Sequence, residues 1–364
     1  MKTAFVWDEC YFWHDAGIGA LYVPPGGLAE ISGSAESPDS KRRVKNLMDR
    51  TGLADELERI KPNMATEAQL EYYHTKAHIE NVKELSKVGA EAGPFVNVGR
   101  GSYEIAAMSA GGAIAGVDAV VKGKAKNAYA LTRPPGHHAL ADTGMGYCIF
   151  NNIVIGAEYA RKELGLERIM ILDWDVHPGN GTEAAFYSDP NVLFVSLHQE
   201  KILLPDGCTA EHMGEGAGKG YNINIPLPAG TGNAGYLYAL EQIVKPAADN
   251  FKPQLILVSA GQDASILDIL GRMMVTVEGY KAMTKFVMDL AATHCEGKLV
   301  ILHEGGYSPE YVPFCTHGII QTLSGSKIDA EDPFLGPFIG TPYNVLLPDQ
   351  KARVDAIKEL RKSS

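Results

Sequence analysis

Five apolar, β-branched runs alternate with stretches of helical periodicity, and this alternation limits the fold more than any other feature. The runs are NAYALT (127–132), RIMILDWD (168–175), VLFVSLH (192–198), LILVSAG (255–261) and KLVILHEGG (298–306). Continuous apolar strands between helices indicate a parallel sheet buried on both faces. No linker divides the series, so we predict an α/β fold with a single domain over residues 1–364 and a peripheral C-terminal tail from residue 340 onward.

Composition narrows the class of protein. The formal net charge of −11 argues against direct binding of nucleic acid, which needs clustered Lys and Arg side chains. The five cysteines are scattered without a C-x-x-C pair, which favours a cytoplasmic protein with reduced thiols. No apolar run approaches the roughly 18–20 residues of a membrane span, so we predict no membrane association.

Residues 22–43 are rich in Pro, Gly and Ser, and they predict a long loop near the start of the chain. Loops of more than about 15 residues inside a compact domain are usually functional or mobile. The sequence KRR at 41–43 is interpreted as the solvated start of a helix.

Each of the five predicted strands ends in polar residues. Because ligands bind outside the carboxyl ends of parallel strands, these side chains are expected to converge on one site. In chain order they are His137 and His138, then Asp173, Asp175 and His177, then Ser196 and His198, then Asp263, and finally His303, Glu304 and Tyr307.

Asp175, His177 and Asp263 form a candidate zinc site. Asp175 and His177 are two residues apart, so both side chains project to the same face of extended backbone. Two carboxylates and one imidazole leave a fourth position of the metal open for water, as in catalytic zinc sites. The alternative is a buried Asp–His ion pair at the strand ends.

The sequence PPG bends the chain before His137 and His138, so both imidazoles can face one target. Two carboxylates formally cancel the charge of zinc, so its water would need a nearby base, which imidazole supplies. Tyr307 follows two glycines and could donate a hydrogen bond to a polarised carbonyl oxygen. The alternatives are structural histidines and a surface tyrosine.

Six motifs together resemble the zinc-dependent histone deacetylase family, in particular its bacterial class II-like members, the histone deacetylase-like and acetylpolyamine amidohydrolases. They are RPPGHHA, GMGYCIFNN, LDWDVHPGNGT, VSLHQ, SAGQDAS and LHEGGYS, and the resemblance extends from about residue 5 to residue 325. It implies an arginase-like fold with a central eight-stranded parallel sheet flanked by helices. It also implies hydrolysis of an acetyl or other short acyl amide by a zinc-bound water.

The resemblance assigns roles to particular residues. One zinc per chain would be bound by Asp175, His177 and Asp263. The catalytic residues would be His137 with its partner Asp173, His138 with its partner Asn180, and Tyr307. A neutral partner should leave His138 less basic than His137, so His138 is the candidate general base and acid. Gly146 and Tyr147 match the wall of the substrate tunnel.

Family members also bind structural K⁺ or Na⁺ through backbone carbonyls. The resemblance places one such site at Asp173, Asp175, His177, Ser196 and Leu197, and a second at Phe186, Asp189, Val192 and Tyr221.

The chain departs from the family pattern at Pro178, Gln262 and Ile269, where relatives often carry His, an aromatic residue or Leu, and Pro respectively. Residues 93–103 lack the acidic residue that often anchors a peptide at the rim, which favours small amides over peptides. The acylated amine and the effect of these departures are not fixed by the sequence.

Two other functions are weighed against an amidohydrolase. One is a catalytically silent protein that binds acyl-lysine or acylpolyamine, and the other is a guanidino hydrolase with two manganese ions on the same fold. The complete set of ligands, histidines and tyrosine argues against the first, and the lack of further Asp and His partners argues against the second. The oligomeric state is left open, and a homo-oligomer is compatible with the sequence.

Overall fold

The computed structural model describes residues 1–19, 23 and 26–362, so residues 22, 24 and 25 of the predicted loop lie outside it. The strands among the described residues are β1 (Ala4–Val6), β2 (Ile18–Gly19), β3 (Ser32–Gly33), β4 (Glu58–Ile60), β5 (Ala90–Glu91), β6 (Asn97–Val98), β7 (Ala128–Ala130), β8 (Ile169–Asp173), β9 (Val192–Gln199), β10 (Asn222–Leu227), β11 (Leu255–Ala260) and β12 (Leu299–His303). The α-helices are α1 (Asp39–Thr51), α2 (Glu67–Leu70), α3 (Lys76–Val88), α4 (Ser102–Val121), α5 (Asn152–Lys162), α6 (Asn180–Phe186), α7 (Asn233–Ala239), α8 (Lys245–Phe251), α9 (Val277–His294), α10 (Val312–Ser324) and α11 (Pro348–Lys362). Short 3₁₀ segments cover Glu9–Trp13, Leu53–Glu56, Gly216–Gly218, Gly336–Phe338 and Pro342–Asn344, and a π-helical segment, Leu240–Val244, joins α7 to α8.

Within the described residues, eight strands form one sheet in the order β10-β9-β8-β11-β12-β7-β1-β4. Every neighbouring pair in it is parallel. The predicted α/β class with a central eight-stranded parallel sheet and flanking helices is therefore confirmed. The five predicted strands correspond to β7, β8, β9, β11 and β12. That the whole chain forms one domain stays a prediction.

Both faces of the sheet are buried, as the apolar runs predicted. In β8, Ile169 and Ile171 join an apolar cluster with Ala113 and Val117 of α4. Met170 and Leu172 of the same strand join the cluster on the opposite face, which includes side chains of α9 and α10. Alternate residues of one strand thus serve two cores, so the strand is apolar along its whole length.

Helix α4 corrects the prediction about membrane spans. The helix has 20 residues, and an 18-residue window of it has a mean hydropathy of 1.4, so by length and composition it could cross a membrane. In the structure 67% of that window is buried inside the protein. A Cβ at Gly116 would lie 3.0 Å from Val300 Cγ1 of β12, so the small residues of α4 let it pack closely on the sheet. The high hydropathy of α4 is therefore explained by its packing in the core of the protein.

The loop before α1 is attached to the RPPGHH segment by a buried ion cluster. Glu36 Oε2 lies 2.9 Å from Arg133 Nη2, and Glu36 Oε1 lies 3.2 Å from Lys41 Nζ. All three side chains are fully buried. The interpretation of KRR as a solvated helix start is therefore wrong for Lys41, because its ammonium pairs with a carboxylate from the loop.

The C-terminal helix α11 packs beside the edge strand β10. Val354 and Ile357 are buried there. Arg361 donates hydrogen bonds to the carbonyl oxygens of Gly220 and Asn222 at the start of β10. The tail is thus attached at the edge of the sheet.

Candidate active site

The carboxyl ends of the central strands bring the predicted site residues together. Asp173, the last residue of β8, lies opposite Ser196 of β9 and Ser259 of β11. The chain segments that follow these strands therefore leave the sheet side by side, at the edge where ligands bind in parallel sheets.

The three predicted metal ligands form one buried group. One ligand atom each of Asp175, His177 and Asp263 lies within 4.8 Å of the others. His177 Nδ1 is 3.1 Å from Asp175 Oδ1 and 3.1 Å from Asp263 Oδ2. The donors therefore already face one another around a common point.

The backbone holds these carboxylates in place. Asp263 Oδ1 accepts a hydrogen bond from the N–H of Val176 at 2.8 Å, and Asp175 Oδ2 accepts one from the N–H of Gly305 at 2.9 Å. A Cβ at Gly305 would lie 2.2 Å from Asp263 Oδ2, so only glycine allows this approach. The donor set is thus fixed by its surroundings and open at the side of the imidazole.

The charges of the three predicted metal ligands favour a bound cation. Burial and the neighbouring charge of Asp175 raise the pKa of Asp263 well above its usual range. Hydrogen bonds to both carboxylates outweigh burial and raise the pKa of His177 to about 10. Two buried carboxylates and one imidazole suit a divalent cation such as zinc, which prefers these donors.

The two adjacent histidines have different partners. His137 Nδ1 lies 2.9 Å from Asp173 Oδ2, and His138 Nδ1 lies 2.7 Å from Asn180 Oδ1. Their ring centroids are 3.9 Å apart. An amide oxygen can only accept, so the Nδ1 of His138 carries the proton and its Nε2 has a free lone pair.

These partners separate the basicities of the two rings. Although burial opposes it, the charges of Asp175 and Asp173 raise the pKa of His137 to about 10. Burial lowers the pKa of His138 well below its usual range, and the charges of His137 and His177 lower it further. The result is one imidazolium beside one neutral imidazole.

Tyr307 lies beside His177, one of the three metal donors. Its ring centroid is 6.3 Å from that of His177, and its side chain is almost completely buried. Lys41 Nζ donates a hydrogen bond to the carbonyl oxygen of Gly306 and lies 5.6 Å from the centre of the tyrosine ring. The phenol is thus held beside the metal donors by a buried cation that the sequence did not reveal.

A cavity of about 430 Å³ opens above this group. Its lining includes His138, His177 and Tyr307 at the base and Gly146 and Tyr147 on one wall. A Cβ at Gly146 would lie 2.5 Å from Cδ2 of His138, so this position needs glycine. Tyr147 has a φ of 67°, and its ring centroid is 5.8 Å from that of Tyr307.

The sequence did not reveal that two carboxylates, Glu304 and Asp268, position other residues of the site. Glu304 accepts hydrogen bonds from the N–H of Gly136 at 2.7 Å and from Ser259 Oγ at 3.0 Å, and so ties the histidine loop to β11. Asp268 accepts a hydrogen bond from the N–H of Tyr307 at 2.7 Å. Glu304 lies in the motif LHEGGYS, but its partners and that of Asp268 are distant in sequence, so only the fold could identify them.

Other histidines serve the core. His74 Nε2 accepts a hydrogen bond from the N–H of Asn151 at 2.8 Å, and His78 Nε2 bonds to the carbonyl oxygen of Ile149. His198 bonds to Ser196, and His303 to Tyr129.

The three departures from the family pattern have different environments. Gln262 is fully buried and donates a hydrogen bond to the carbonyl oxygen of Ala260. Ile269 is 41% exposed. The carbonyl oxygen of Pro178 accepts a hydrogen bond from the N–H of Asn180, the partner of His138.

Comparisons with known proteins agree with this geometry. The profile of the family described as Histone deacetylase domain matches residues 34–323. A histone deacetylase-like amidohydrolase from Pseudomonas aeruginosa is 46% identical over 336 residues, which cover 91% of this chain and 88% of that protein. A probable deacetylase from Archaeoglobus fulgidus is 39% identical with the same coverage. Among solved structures, the crystal structure of HDA15 HD domain matches with a TM-score of 0.83 and 28% identity, covering 100% of this chain and 97% of that one.

Proposed function

The chain belongs to the histone deacetylase family, and we propose that it is a zinc-dependent amidohydrolase that removes acetyl or another short acyl group from an amine nitrogen. The observation that carries the proposal is that one cavity is lined by His138, by Tyr307 and by His177, which belongs to the buried group of three metal donors. Each component matches a need of amide hydrolysis, which requires an electrophile, a base and a donor to the oxyanion.

Asp175, His177 and Asp263 would bind the zinc ion. When bound there, zinc would supply Lewis-acid chemistry, polarising the acyl carbonyl and lowering the pKa of a water molecule. The donor set supports one ion per chain.

His138 is proposed as the general base and then the general acid. The Nδ1–H of His138 donates a hydrogen bond to Asn180 Oδ1. Its Nε2 can therefore take a proton from the attacking water and return it to the leaving amine. His137, paired with Asp173, contributes a positive charge that keeps His138 weakly basic.

Tyr307 is proposed to donate a hydrogen bond to the acyl oxygen as negative charge develops on it. Burial raises the pKa of its phenol well above its usual range, so the donor proton is retained at neutral pH. Gly146 and Tyr147 would flank the linear chain of the substrate.

Structural K⁺ or Na⁺ sites are proposed as in the family. Asp173 and Ser196 are directly paired across β8 and β9, which supports the first site. The N–H of Phe194 bonds to the carbonyl oxygen of Tyr221, which supports proximity of β9 and Tyr221 in the second. The proposed backbone ligands are Asp173, Asp175, His177, Ser196 and Leu197 in the first site, and Phe186, Asp189, Val192 and Tyr221 in the second.

A cytoplasmic location and small acyl-amine or peptide substrates are also proposed. The five cysteines are free thiols in the structure, which supports a reducing compartment. A silent binding protein and a guanidino hydrolase are not favoured, because the site retains its full hydrolytic set and both histidines are already bonded to Asp173 and Asn180.

An assay of amine release tests the proposal. Zinc-loaded protein should hydrolyse at least one member of a panel of acetyllysine peptides, free acetyllysine, acetylpolyamines and trifluoroacetyl amides. Dialysis against a zinc chelator should abolish the activity because the electrophile is lost, and added zinc should restore it. Failure of zinc-loaded protein on the whole panel, or full activity in zinc-free protein, would overturn the proposal.

A further inference from the structure

The mouth of the cavity above the candidate site is positively charged. The Lys and Arg side chains that line it are Lys201 and Arg272, and no Asp or Glu side chain of the described residues lines it. This contrasts with the formal net charge of −11 for the whole chain. Residues 20–22, 24 and 25 include no Asp or Glu either. The charge of the entrance is therefore opposite in sign to the net charge of the protein.

The guanidinium of Arg272 is oriented but not neutralised. Its Nη1 donates hydrogen bonds to the carbonyl oxygens of Ile269, at 3.1 Å, and Gly271, at 2.6 Å. Its backbone N–H donates to Gln199 Oε1 at 2.8 Å, which ties its loop to the end of β9. Among the described residues, no carboxylate lies within ion-pair distance of it, and Nε and Nη2 have no hydrogen-bond partner there.

Lys201 lies beside this entrance on a loop with an unusual backbone conformation. Lys201 and Leu203 have φ values of 58° and 59°, a left-handed conformation that non-glycine residues rarely adopt. Such strained positions cluster where a loop must present particular side chains. The adjacent Glu200 is paired with Arg353 at 2.5 Å and so does not neutralise Lys201.

Building on the proposed function, we propose that this entrance selects acyl-amine substrates whose far end carries a carboxylate. The entrance also has apolar lining residues, among them Phe95, Ile202 and Leu270, which suit the methylene chain between amide and carboxylate. Guanidinium and carboxylate form strong, charge-assisted hydrogen bonds. A polyamine would instead bring its ammonium groups next to Lys201 and Arg272, and like charges repel.

Three matched substrates test this selection on the zinc-loaded protein. They are Nα-capped Nε-acetyllysine with a free carboxylate, its carboxamide, and acetylspermidine. We expect kcat/KM to fall about tenfold from the carboxylate to the carboxamide, in line with roughly 1.4 kcal/mol for two exposed charge contacts, and to be lowest for acetylspermidine. The preference should shrink in 0.5 M salt, because exposed charges are screened.

Variants test whether Lys201 and Arg272 cause the preference for the carboxylate substrate. Lys201→Gln and Arg272→Gln should each lower the carboxylate-to-carboxamide ratio, and together should bring it near one. Lys76→Gln removes the same charge from an exposed side chain on α3 and should keep the ratio of the unaltered protein. Equal kcat/KM for carboxylate and carboxamide, or a preference for acetylspermidine, would overturn the inference. Absence of turnover on all three substrates would instead count against the proposed hydrolase.

Discussion

Replacing His138 with alanine should lower kcat by about 10²–10⁴-fold, the usual contribution of a general acid–base group. The variant loses the only lone pair that faces the cavity from the histidine pair, since His137 is bonded to Asp173 and held as an imidazolium. Zinc content and melting temperature should change little, because His138 is not among the three metal donors. Measured kcat within tenfold of the unaltered protein would remove His138 from the mechanism.

The pH profile gives a second readout of the same residue. Burial, with the charge of His137, lowers the pKa of His138, so the neutral base should persist into acidic solution. The acid limb of kcat/KM should therefore lie below the usual range of histidine. Asn180→Asp places a negative charge 2.7 Å from Nδ1 and should raise that pKa, which moves the acid limb to higher pH. A limb that stays in place or moves to lower pH would contradict the assignment.

Tyr307→Phe should lower kcat by about 10²–10³-fold, the effect of losing one donor to a developing oxyanion. The ring packing beside Tyr147 and Lys41 is retained in phenylalanine, so the protein should fold and bind zinc normally. Because burial keeps the phenol protonated, the unaltered protein should show no loss of activity in mildly alkaline solution from this residue.

Tyr72→Phe is the matched control for this variant, since it removes a phenol that bonds to Glu163 outside the cavity. It should have kcat close to that of the unaltered protein. If Tyr307→Phe behaves like Tyr72→Phe, the phenol has no part in turnover.

The sequence predicted five strands because each lies in a continuous apolar run, including β7, which has only three residues in the structure. It missed β1 and β4, which have only three residues each, and β10, an edge strand whose Asn222 and Asn224 bond to Glu183. Short strands and polar edges give too little periodicity to separate them from loops. The eight-stranded sheet came from the family resemblance rather than from the apolar pattern.

The site was predictable to the extent that it follows from parallel topology. Residues after neighbouring strands must meet, so the convergence of Asp175, His177 and Asp263 could be expected from strand order. The pairing of Glu36 with Arg133 spans 97 residues and depends on how the loop before α1 folds back. No local pattern encodes such a contact, and for that reason Lys41 was placed in solvent.

Anomalous diffraction at the zinc absorption edge tests the central claim most directly. Crystals of the unaltered protein should show one strong peak per chain in contact with Asp175, His177 and Asp263, and crystals of Asp263→Asn should show it much weakened. A peak bound by other side chains, or none in zinc-supplemented crystals, would contradict the proposal that this carboxylate–imidazole group binds the metal.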